Sequence, residues 1–272
     1  MSKQLLLIND LAGYGKVALS TMIPVLSYMG HQIYNLPTAL VSNTLDYGKF
    51  DILETTDYMQ NTIAVWKQLG FRFDAVSTGF LVSEKQARII RDFCREEAQK
   101  GTTIFVDPIM GDEGKLYNGV SDKNILYMKE LVSVADYIVP NYTEAVYLTG
   151  AEYHTDITEQ EADELIAGLR AMGAKSVIIT SAHMDGRDVV LGFDHKTSKR
   201  FSIPFDIIPV RFPGTGDIFS SVLLGRLLDG NGLVDSTRRA MEAVSLLIEK
   251  NKDNADKYKG IPIESYLEVL GR

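Results

Sequence analysis

Five short apolar runs, separated by amphipathic segments, constrain the fold of this chain most strongly. The runs occupy residues 5–8, 75–78, 103–106, 137–139 and 177–180. Continuous apolar runs of this length are typical of strands that are buried on both faces of a parallel sheet. The alternation of strands and helices therefore predicts an α/β fold, in which a central, mostly parallel sheet is flanked by helices.

Helix boundaries are indicated by residues that satisfy the free backbone groups at helix ends. A Ser or Thr followed three residues later by Gln or Glu forms a capping box, and a glycine often ends the helix. The predicted starts and stops are Ser83 and Gln86 with Gly101, Thr158 and Glu161 with Gly173, and residues 55–57 with Gly70. Two apolar segments, 189–193 and 201–204, flank a polar loop and predict a small antiparallel hairpin.

Composition limits the classes of function. The chain has 272 residues, of which 45% are hydrophobic, and we expect one domain over residues 1–272. A net charge of −8 without a basic patch argues against nucleic-acid binding. No apolar run reaches 18 residues and no signal peptide is evident, so we expect a cytoplasmic protein outside the membrane. The single cysteine, Cys94, is predicted to be buried, and the polar run 249–259 to be a solvated loop.

Candidate site residues, most of them polar, stand at the end of each predicted strand. They lie at positions 9–10, 79–80, 107–108, 140–141 and 180–181. In a doubly wound sheet, ligands bind beyond the carboxyl ends of the strands. We therefore expect these side chains to converge on one rim.

The turn Gly214-Thr215-Gly216-Asp217 leads directly into an apolar helix pattern. Free backbone N–H groups and the positive end of the helix dipole would meet there, which favours an anion. Asp217 would place a carboxylate beside that anion, ready to accept a proton from an attacking hydroxyl. The alternative is a plain glycine-rich connection in which Asp217 only favours the helix start.

Two acidic segments offer a possible magnesium site. Asp107 and Asp112 lie five residues apart after a buried strand, and Asn141 precedes Glu144 by three residues. Carboxylate oxygens suit magnesium, which keeps several of its waters, so Glu144 would hold the ion through water. The alternatives are solvated acids in a turn and an ordinary capping box at Asn141. Lys115 follows in a loop where it could meet a phosphate.

The segment Gly13-Tyr14-Gly15-Lys16-Val17-Ala18 suggests a competing function, since it resembles a dinucleotide-binding fingerprint. That signature also needs an acid about 20 residues later, at the end of the second strand. Residues 31–37 contain none, so nicotinamide or flavin binding is not favoured. Neither Gly-Lys pair fits a P-loop, since Val17 and Leu116 follow the lysines.

Taken together, the motifs resemble the ribokinase-like superfamily, and within it the pyridoxal/pyridoxamine kinase branch. The resemblance is carried, in order, by Ile8-Asn9-Asp10, Tyr47-Gly48-Lys49-Phe50, Asp107-Pro108-x-Met110-Gly111-Asp112, Pro140-Asn141-x-x-Glu144 and Gly214-Thr215-Gly216-Asp217. It implies a three-layer sandwich, usually a homodimer. It also implies transfer of the ATP γ-phosphate to the 5′-hydroxymethyl group of pyridoxal, pyridoxamine or pyridoxine.

The same resemblance implies a role for each site residue. Asp217 matches the catalytic base, and Gly214, Thr215 and Gly216 match the anion hole. Asp112 and Glu144 match positions around magnesium and phosphate, and Asp107 and Thr180 match the place of a monovalent cation such as K⁺. The nucleotide side is matched by Asn141, Thr180 and Ser181, with Lys115 as a further candidate, and the ring side by Asp10, Ser42, Asn43, Tyr47 and Phe80.

The chain departs from the family pattern at the ring side. Many members have Ser where this chain has Asp10, and an acid there would pair with a pyridinium nitrogen or a protonated amine. The His-Thr expected near Asn43 and Thr44 is missing. The alternative activity is hydroxymethylpyrimidine kinase, whose turn usually reads Gly-Thr-Gly-Cys, so Asp217 favours the pyridoxal side.

Overall fold

A computed structural model describes residues 2–117, 120 and 122–270. The strands are β1 (Gln4–Tyr14), β2 (Gln32–Asn43), β3 (Ile52–Glu54), β4 (Ala75–Thr78), β5 (Thr103–Val106), β6 (Gly111–Asp112), β7 (Lys115–Leu116), β8 (Tyr137–Ile138), β9 (Ser176–Met184), β10 (Arg187–Asp194) and β11 (Lys199–Pro204). The helices are α1 (Leu19–Tyr28), α2 (Thr56–Leu69), α3 (Glu84–Gln99), α4 (Asp122–Val132), α5 (Tyr142–Thr149), α6 (Glu159–Ala171), α7 (Thr215–Leu228) and α8 (Leu233–Asn251).

The chain divides into two compact units. The first unit combines Met1–Ser77 with Ile208–Arg272, and the second unit is Thr78–Ile207. The single domain expected over residues 1–272 stays a prediction. In the part of the chain that the structure describes, none of the helices combines the length and the apolar character needed to cross a membrane.

The first unit is built around β1. Its strands lie in the order β4-β1-β2-β3, with β1 and β2 parallel and β3 antiparallel to β2. Helix α1 packs on β1 and β2 and also on α7, which in turn packs on α8. Leu5, Leu6, Leu7 and Ile8 are fully buried. Each such side chain contributes about 1.5–3 kcal/mol relative to an exposed one, so this apolar run anchors the unit.

Strand β1 continues well beyond its apolar run. Asn9 and Asp10 were expected to follow the strand, and this prediction is wrong, because pairing with β2 resumes and continues to Tyr14. The register shifts at this point, since Asn9 pairs with Pro37 and Leu11 with Leu40. Asp10 therefore faces two residues of β2 at a bulge, and bulges commonly re-aim side chains next to functional sites.

In the second unit, strands lie in the order β11-β10-β9-β8-β5, and β6 and β7 pair with each other separately. Strands β5, β8 and β9 are parallel, whereas β10 is antiparallel to both β9 and β11. The predicted strands at 75–78 and 103–106 and the predicted hairpin are confirmed. Helices α3 and α6 pack on β5 and β9, respectively.

A second bulge lies in β9. Thr180 and Ser181 were expected to follow this strand, but the strand runs through them to Met184, so that prediction is wrong. Ala182 pairs with Val189 and Ile179 with Leu191, which leaves Thr180 and Ser181 opposite one residue of β10. Ser181 takes a positive φ of 56°. The antiparallel partner strand, which a local apolar pattern does not reveal, extends β9 past the predicted end.

The predicted helices form, but their caps differ in detail. The Thr158–Glu161 capping box is confirmed. At α3 the Ser83 hydroxyl accepts from the Gln86 N–H, while the Gln86 side-chain oxygen accepts from the Val82 N–H. Thr55 does not cap α2 with its side chain, because its hydroxyl donates to the Pro37 carbonyl instead. The three helix-ending glycines, Gly70, Gly101 and Gly173, all have positive φ.

The polar run 249–259 is more ordered than a solvated loop, so that expectation is wrong. Helix α8 extends to Asn251, which is fully buried and donates to the Leu247 carbonyl. The following residues bind other segments of the first unit through backbone groups. Cys94 is fully buried as predicted, and burial raises the pKa of its thiol.

Candidate active site

The Gly214-Thr215-Gly216-Asp217 turn forms the start of α7 in the first unit. Gly214 is the N-cap with φ of 87°, a left-handed conformation that favours glycine. The first helical hydrogen bond runs from the Ile218 N–H to the Gly214 carbonyl. The N–H groups of Thr215, Gly216 and Asp217 precede that bond and have no acceptor within the helix. Gly216 is exposed, so the helix start presents backbone donors where an anion can bind.

Asp217 is fixed in the first turn of α7 by two donors. The Ala18 N–H donates to Asp217 Oδ2 at 2.8 Å, and the Asn9 side chain also binds the carboxylate. Burial raises the pKa of Asp217 to about 6, and both hydrogen bonds oppose that rise. A carboxylate with this pKa is largely charged at neutral pH and still basic enough to accept a proton.

Asp10, at the bulge of β1, is a second part-buried acid in the same unit. Burial, and then the negative charge of Asp217, raise the pKa of Asp10 to about 7, while its own backbone N–H opposes the rise. That N–H also donates to Asn9 Oδ1 at 3.0 Å. Asn9 is 1% exposed, and its side chain binds both the Asp10 backbone N–H and the Asp217 carboxylate.

The other ring-side candidates of the first unit stabilise the loop after β2. Asn43 Nδ2 donates to the carbonyls of Thr44 and Lys49, and Ser42 Oγ donates to Asn43 Oδ1 at 2.7 Å. The Tyr47 hydroxyl donates to Asp256 at 2.6 Å, which raises the pKa of Tyr47. These side chains shape the loop, and their contact with a ring stays a prediction.

In the second unit, Glu144 is a buried acid in the first turn of α5. Its Oε1 accepts from the Met110 N–H and its Oε2 from the Asn141 N–H, both at 2.9 Å. Asn141 Oδ1 accepts in return from the Glu144 N–H, so the capping box is present. Burial, and then the charge of Asp107, raise the pKa of Glu144, and the three backbone donors of Met110, Asn141 and Gly111 oppose the rise.

The predicted magnesium residues occupy this same part of the second unit. Asp107 is part-buried and follows β5, and Asp112 ends β6, whose two-residue turn leads to Lys115 on β7. Within residues 2–117, 120 and 122–270, no three His, Cys, Asp or Glu side chains are arranged to ligate one metal directly. The donor set of carboxylate oxygens nevertheless fits Mg²⁺, which keeps several of its waters and needs only one or two carboxylates.

The nucleotide-side candidates are partly brought together. Asn141 forms a bridge with Thr180, whose N–H donates to the Pro140 carbonyl at 3.0 Å, and Ser181 follows in the bulge. The Asn141 side chain also donates to the Gly111 carbonyl at 2.7 Å. Lys115 is exposed, and Phe80 is half-buried after β4. Their contacts with nucleotide and ring stay predictions.

Three partners of the acids, Asn9 and the N–H groups of Ala18 and Met110, were given no such role from the sequence. Asn9 was identifiable, because a buried polar residue interrupts an apolar strand. The Ala18 and Met110 N–H groups gave no such signal, since backbone donors are the same in every residue and are brought to Asp217 and Glu144 by non-local packing.

Comparison with known proteins identifies the family. The family model described as phosphomethylpyrimidine kinase matches residues 20–261. The chain belongs to the phosphomethylpyrimidine kinase family. A candidate member from Bacteroides thetaiotaomicron, whose crystal structure was determined with pyridoxal, is 35% identical to this chain with a TM-score of 0.94. The similarity covers 100% of this chain and 96% of that one, which confirms the predicted ribokinase-like α/β fold.

Curated proteins that are similar to this chain include pyridoxal kinases. That of Arabidopsis thaliana is 35% identical over 61% of this chain and 54% of its own length. Pyridoxal kinase PdxY of Corynebacterium diphtheriae is 28% identical over 96% of this chain and 93% of its own length. The chain spans about half the length of the plant and pig enzymes that it matches. The resemblance to the pyridoxal kinase branch is confirmed.

Proposed function

We propose that this protein transfers the γ-phosphoryl group of ATP to the 5′-hydroxymethyl group of pyridoxal, pyridoxamine or pyridoxine. The observation that carries the proposal is the Asp217 carboxylate, held by the Ala18 N–H at 2.8 Å in the first turn of a helix whose leading N–H groups are free of helical acceptors. A base and an anion-binding helix start are two of the parts that catalyse phosphoryl transfer to an alcohol.

Asp217 accepts the proton of the substrate hydroxyl as the oxygen attacks. The hydrogen bond from the Ala18 N–H to Oδ2 holds the carboxylate in place for this proton transfer. The backbone N–H groups of Gly214, Thr215 and Gly216 stabilise the negative charge on the moving phosphoryl group. Base catalysis of this kind is typically worth 10²–10⁴-fold in rate, or roughly 3–5 kcal/mol.

Asp10 is proposed to bind the cationic group of the ring or of its substituent. With a pKa raised to about 7, it shares its proton readily with a neighbouring base. Charged, it would pair with a pyridinium nitrogen or a protonated amine. Ser42, Asn43, Tyr47 and Phe80 are proposed to complete the ring side.

The second unit is proposed to bind the nucleotide and its metal. Asn141, Thr180, Ser181 and Lys115 would contact ATP. Asp107, Asp112 and Glu144 would hold Mg²⁺, largely through water, and the ion would neutralise charge on the ATP phosphates. Asp107 and Thr180 would hold a monovalent cation such as K⁺.

We also propose a homodimer that works in the cytoplasm. Strand β3 is the edge of the sheet in the first unit, and apolar side chains lie exposed on and beside it, with Leu53 at 63%, Leu40 at 42% and Phe50 at 41%. An exposed, apolar edge strand favours pairing with a second chain.

Hydroxymethylpyrimidine kinase is the second candidate, because it fits the description of the family model and shares the alcohol-phosphorylating chemistry. An ADP-release assay with ATP, Mg²⁺ and each of pyridoxal, pyridoxamine, pyridoxine and hydroxymethylpyrimidine separates the two. A higher kcat/KM for a B6 vitamer supports the main proposal, and a higher value for hydroxymethylpyrimidine replaces it. Absence of ADP release with all four alcohols rejects both.

A further inference from the structure

The glycine-containing segment 13–18, whose sequence resembles a dinucleotide fingerprint, contributes to the proposed chemistry only through the Ala18 N–H. In the first unit it lies against two other segments. One is the Gly214 turn, and the other is the C-terminal segment, defined as residues 256–264.

Hydrogen bonds tie the C-terminal segment to residues 14–18 and to the loop after β2. The Lys16 N–H donates to the Lys259 carbonyl at 2.7 Å, and Thr44 Oγ1 donates to the Tyr258 carbonyl at 2.6 Å. The Lys16 ammonium also pairs with Glu264. The position of Lys16 is therefore set by residues more than two hundred positions away along the chain.

The Lys16 carbonyl lies between two glycines with positive φ. A Cβ at Gly260 would lie 2.6 Å from the Lys16 oxygen and 3.0 Å from the Pro213 oxygen. A Cβ at Gly214 would overlap the same Lys16 oxygen. Three backbone segments thus pack more closely than side chains permit, which is a specific use of glycine.

Ala18 connects this packing to Asp217, the proposed base. Ala18 lies two residues after Lys16 and takes a positive φ of 47°, which a non-glycine residue rarely adopts. In that conformation its N–H donates to Asp217 Oδ2 at 2.8 Å. A shift of Lys16 would therefore turn the Ala18 N–H away from the carboxylate.

We propose that Gly260 is a positioning residue for Asp217, and that the C-terminal segment acts through Lys16 to aim the Ala18 N–H at the carboxylate. The catalytic consequence rests on the proposed function, whereas the effect on the carboxyl group does not. The groups of β1 that interact with Asp217 are the Asp10 carboxyl and the Asn9 amide. The segment 13–18 contributes the Ala18 N–H, and the charge of Lys16 in that segment is paired with Glu264.

The test compares Gly260→Ala with Gly70→Ala. Gly70 has a similar positive φ of 70°, lies in the same unit, and would meet nothing within 4 Å on gaining a Cβ. Both variants place alanine at a similar positive φ, but only the Cβ of Gly260→Ala meets the Lys16 carbonyl. We expect Gly260→Ala to lower kcat at least about tenfold with little change in either KM, and Gly70→Ala to keep the wild-type kcat. Equal kcat in the two variants overturns the proposal.

A readout that needs no substrate is the carboxyl titration of Asp217, followed by NMR of protein labelled at aspartate 13Cγ and assigned with Asp217→Asn. Because the Ala18 hydrogen bond lowers the pKa of Asp217, we expect Gly260→Ala to raise that pKa above the wild-type value. An unchanged titration in Gly260→Ala overturns the proposal even if its kcat is low.

Thr44→Val is the second variant, in case Gly260→Ala fails to fold. It removes the hydrogen bond to the Tyr258 carbonyl without adding bulk, and we expect the same direction of change in the Asp217 titration, with a smaller size. A titration identical to wild type contradicts the role of the C-terminal segment. If the wild-type protein phosphorylates none of the alcohols, the proposed function fails, and the titrations still decide whether Gly260 positions Asp217.

Discussion

The negative charge of Asp217 helps to raise the pKa of Asp10 to about 7, while the pKa of Asp217 itself is raised to about 6. Burial is the larger cause for both acids, and hydrogen bonds from Ala18 and Asn9 keep Asp217 the more acidic of the two. Acids whose environments separate their pKa values can take different roles. Near pH 7, Asp217 is charged and suited to act as the base, whereas Asp10 is about half protonated.

The pH dependence of kcat/KM is expected to follow the ionisation of Asp217. Because a base must be deprotonated, kcat/KM should rise with pH and level off above a pKa of about 6. The vitamers titrate as well, so the profile is measured with pyridoxine and with pyridoxamine. A rise in kcat/KM that occurs at the same pH with both substrates reports a group of the enzyme. A common profile that is flat from pH 5 to pH 8 contradicts the assignment of Asp217.

Asp10→Asn is expected to stabilise the protein at high pH. The pKa of Asp10 rises from 3.8 to about 7 on folding, so its contribution to stability is fully present below pH 3.8 and is lost as the pH rises through 7. The full rise corresponds to roughly 4 kcal/mol, and partial exposure reduces it to about 1–2 kcal/mol. Urea unfolding should therefore show a gain for Asp10→Asn at pH 8 that nearly vanishes at pH 4.

The control for that experiment is Asp253→Asn, which removes an exposed acid from the same unit. Its unfolding free energy should differ from that of the wild type by a similar small amount at both pH values. A pH-independent effect of Asp10→Asn would show that Asp10 is not held in an environment that disfavours its charge.

The sequence predicted the parts of the fold that local patterns determine. Residues 75–78 and 103–106 were assigned correctly because each is a buried apolar run bounded by polar residues. The strand extensions at Asp10 and Ser181 were missed because each lies at a bulge, where pairing with another strand decides the conformation. Bulges depend on the partner strand, which the local sequence does not reveal.

The parts of the candidate site that consist of side chains could be predicted from the sequence. Asp217 and Glu144 were found because an acid stands at a recognisable place in a helix-start motif. The alternative capping role of Glu144 is also present, so spacing alone did not separate cap from metal ligand. The Ala18 N–H could not be predicted, because its approach to Asp217 spans 199 residues of sequence.

A comparison of Glu144→Gln with Glu161→Gln separates the capping role of Glu144 from its proposed role at the metal. Both acids complete a capping box in the second unit, but only Glu144 is buried and close to Asp107. A glutamine at position 144 replaces one acceptor with a donor and leaves a buried backbone N–H unpaired, which costs about 1–3 kcal/mol.

We expect Glu144→Gln to raise the Mg²⁺ concentration for half-maximal activity at least about tenfold, as loss of a residue that orients metal-bound water does. Glu161→Gln should leave that concentration unchanged. The measurement is initial rate against free Mg²⁺ at saturating ATP. If the two variants show the same magnesium dependence, Glu144 serves only as a cap.

Leu53→Lys is expected to dissociate the proposed homodimer. Leu53 is 63% exposed on β3, and a lysine on an edge strand opposes pairing with another edge. Leu126→Lys, at a position 60% exposed on α4, is the matched control. Sedimentation equilibrium should give the mass of two 30.2 kDa chains for the wild type and the control, and of one chain for Leu53→Lys. A dimeric Leu53→Lys would rule out this edge.

Transfer of label from [γ-32P]ATP to pyridoxal, measured in a single turnover with wild type and with Asp217→Asn, tests the central claim most directly. The wild type should yield radioactive pyridoxal 5′-phosphate, and Asp217→Asn, with an unchanged melting temperature, should be slower by at least about 10²-fold. Transfer at a near wild-type rate in Asp217→Asn, or no labelled product from the wild type, would contradict the account.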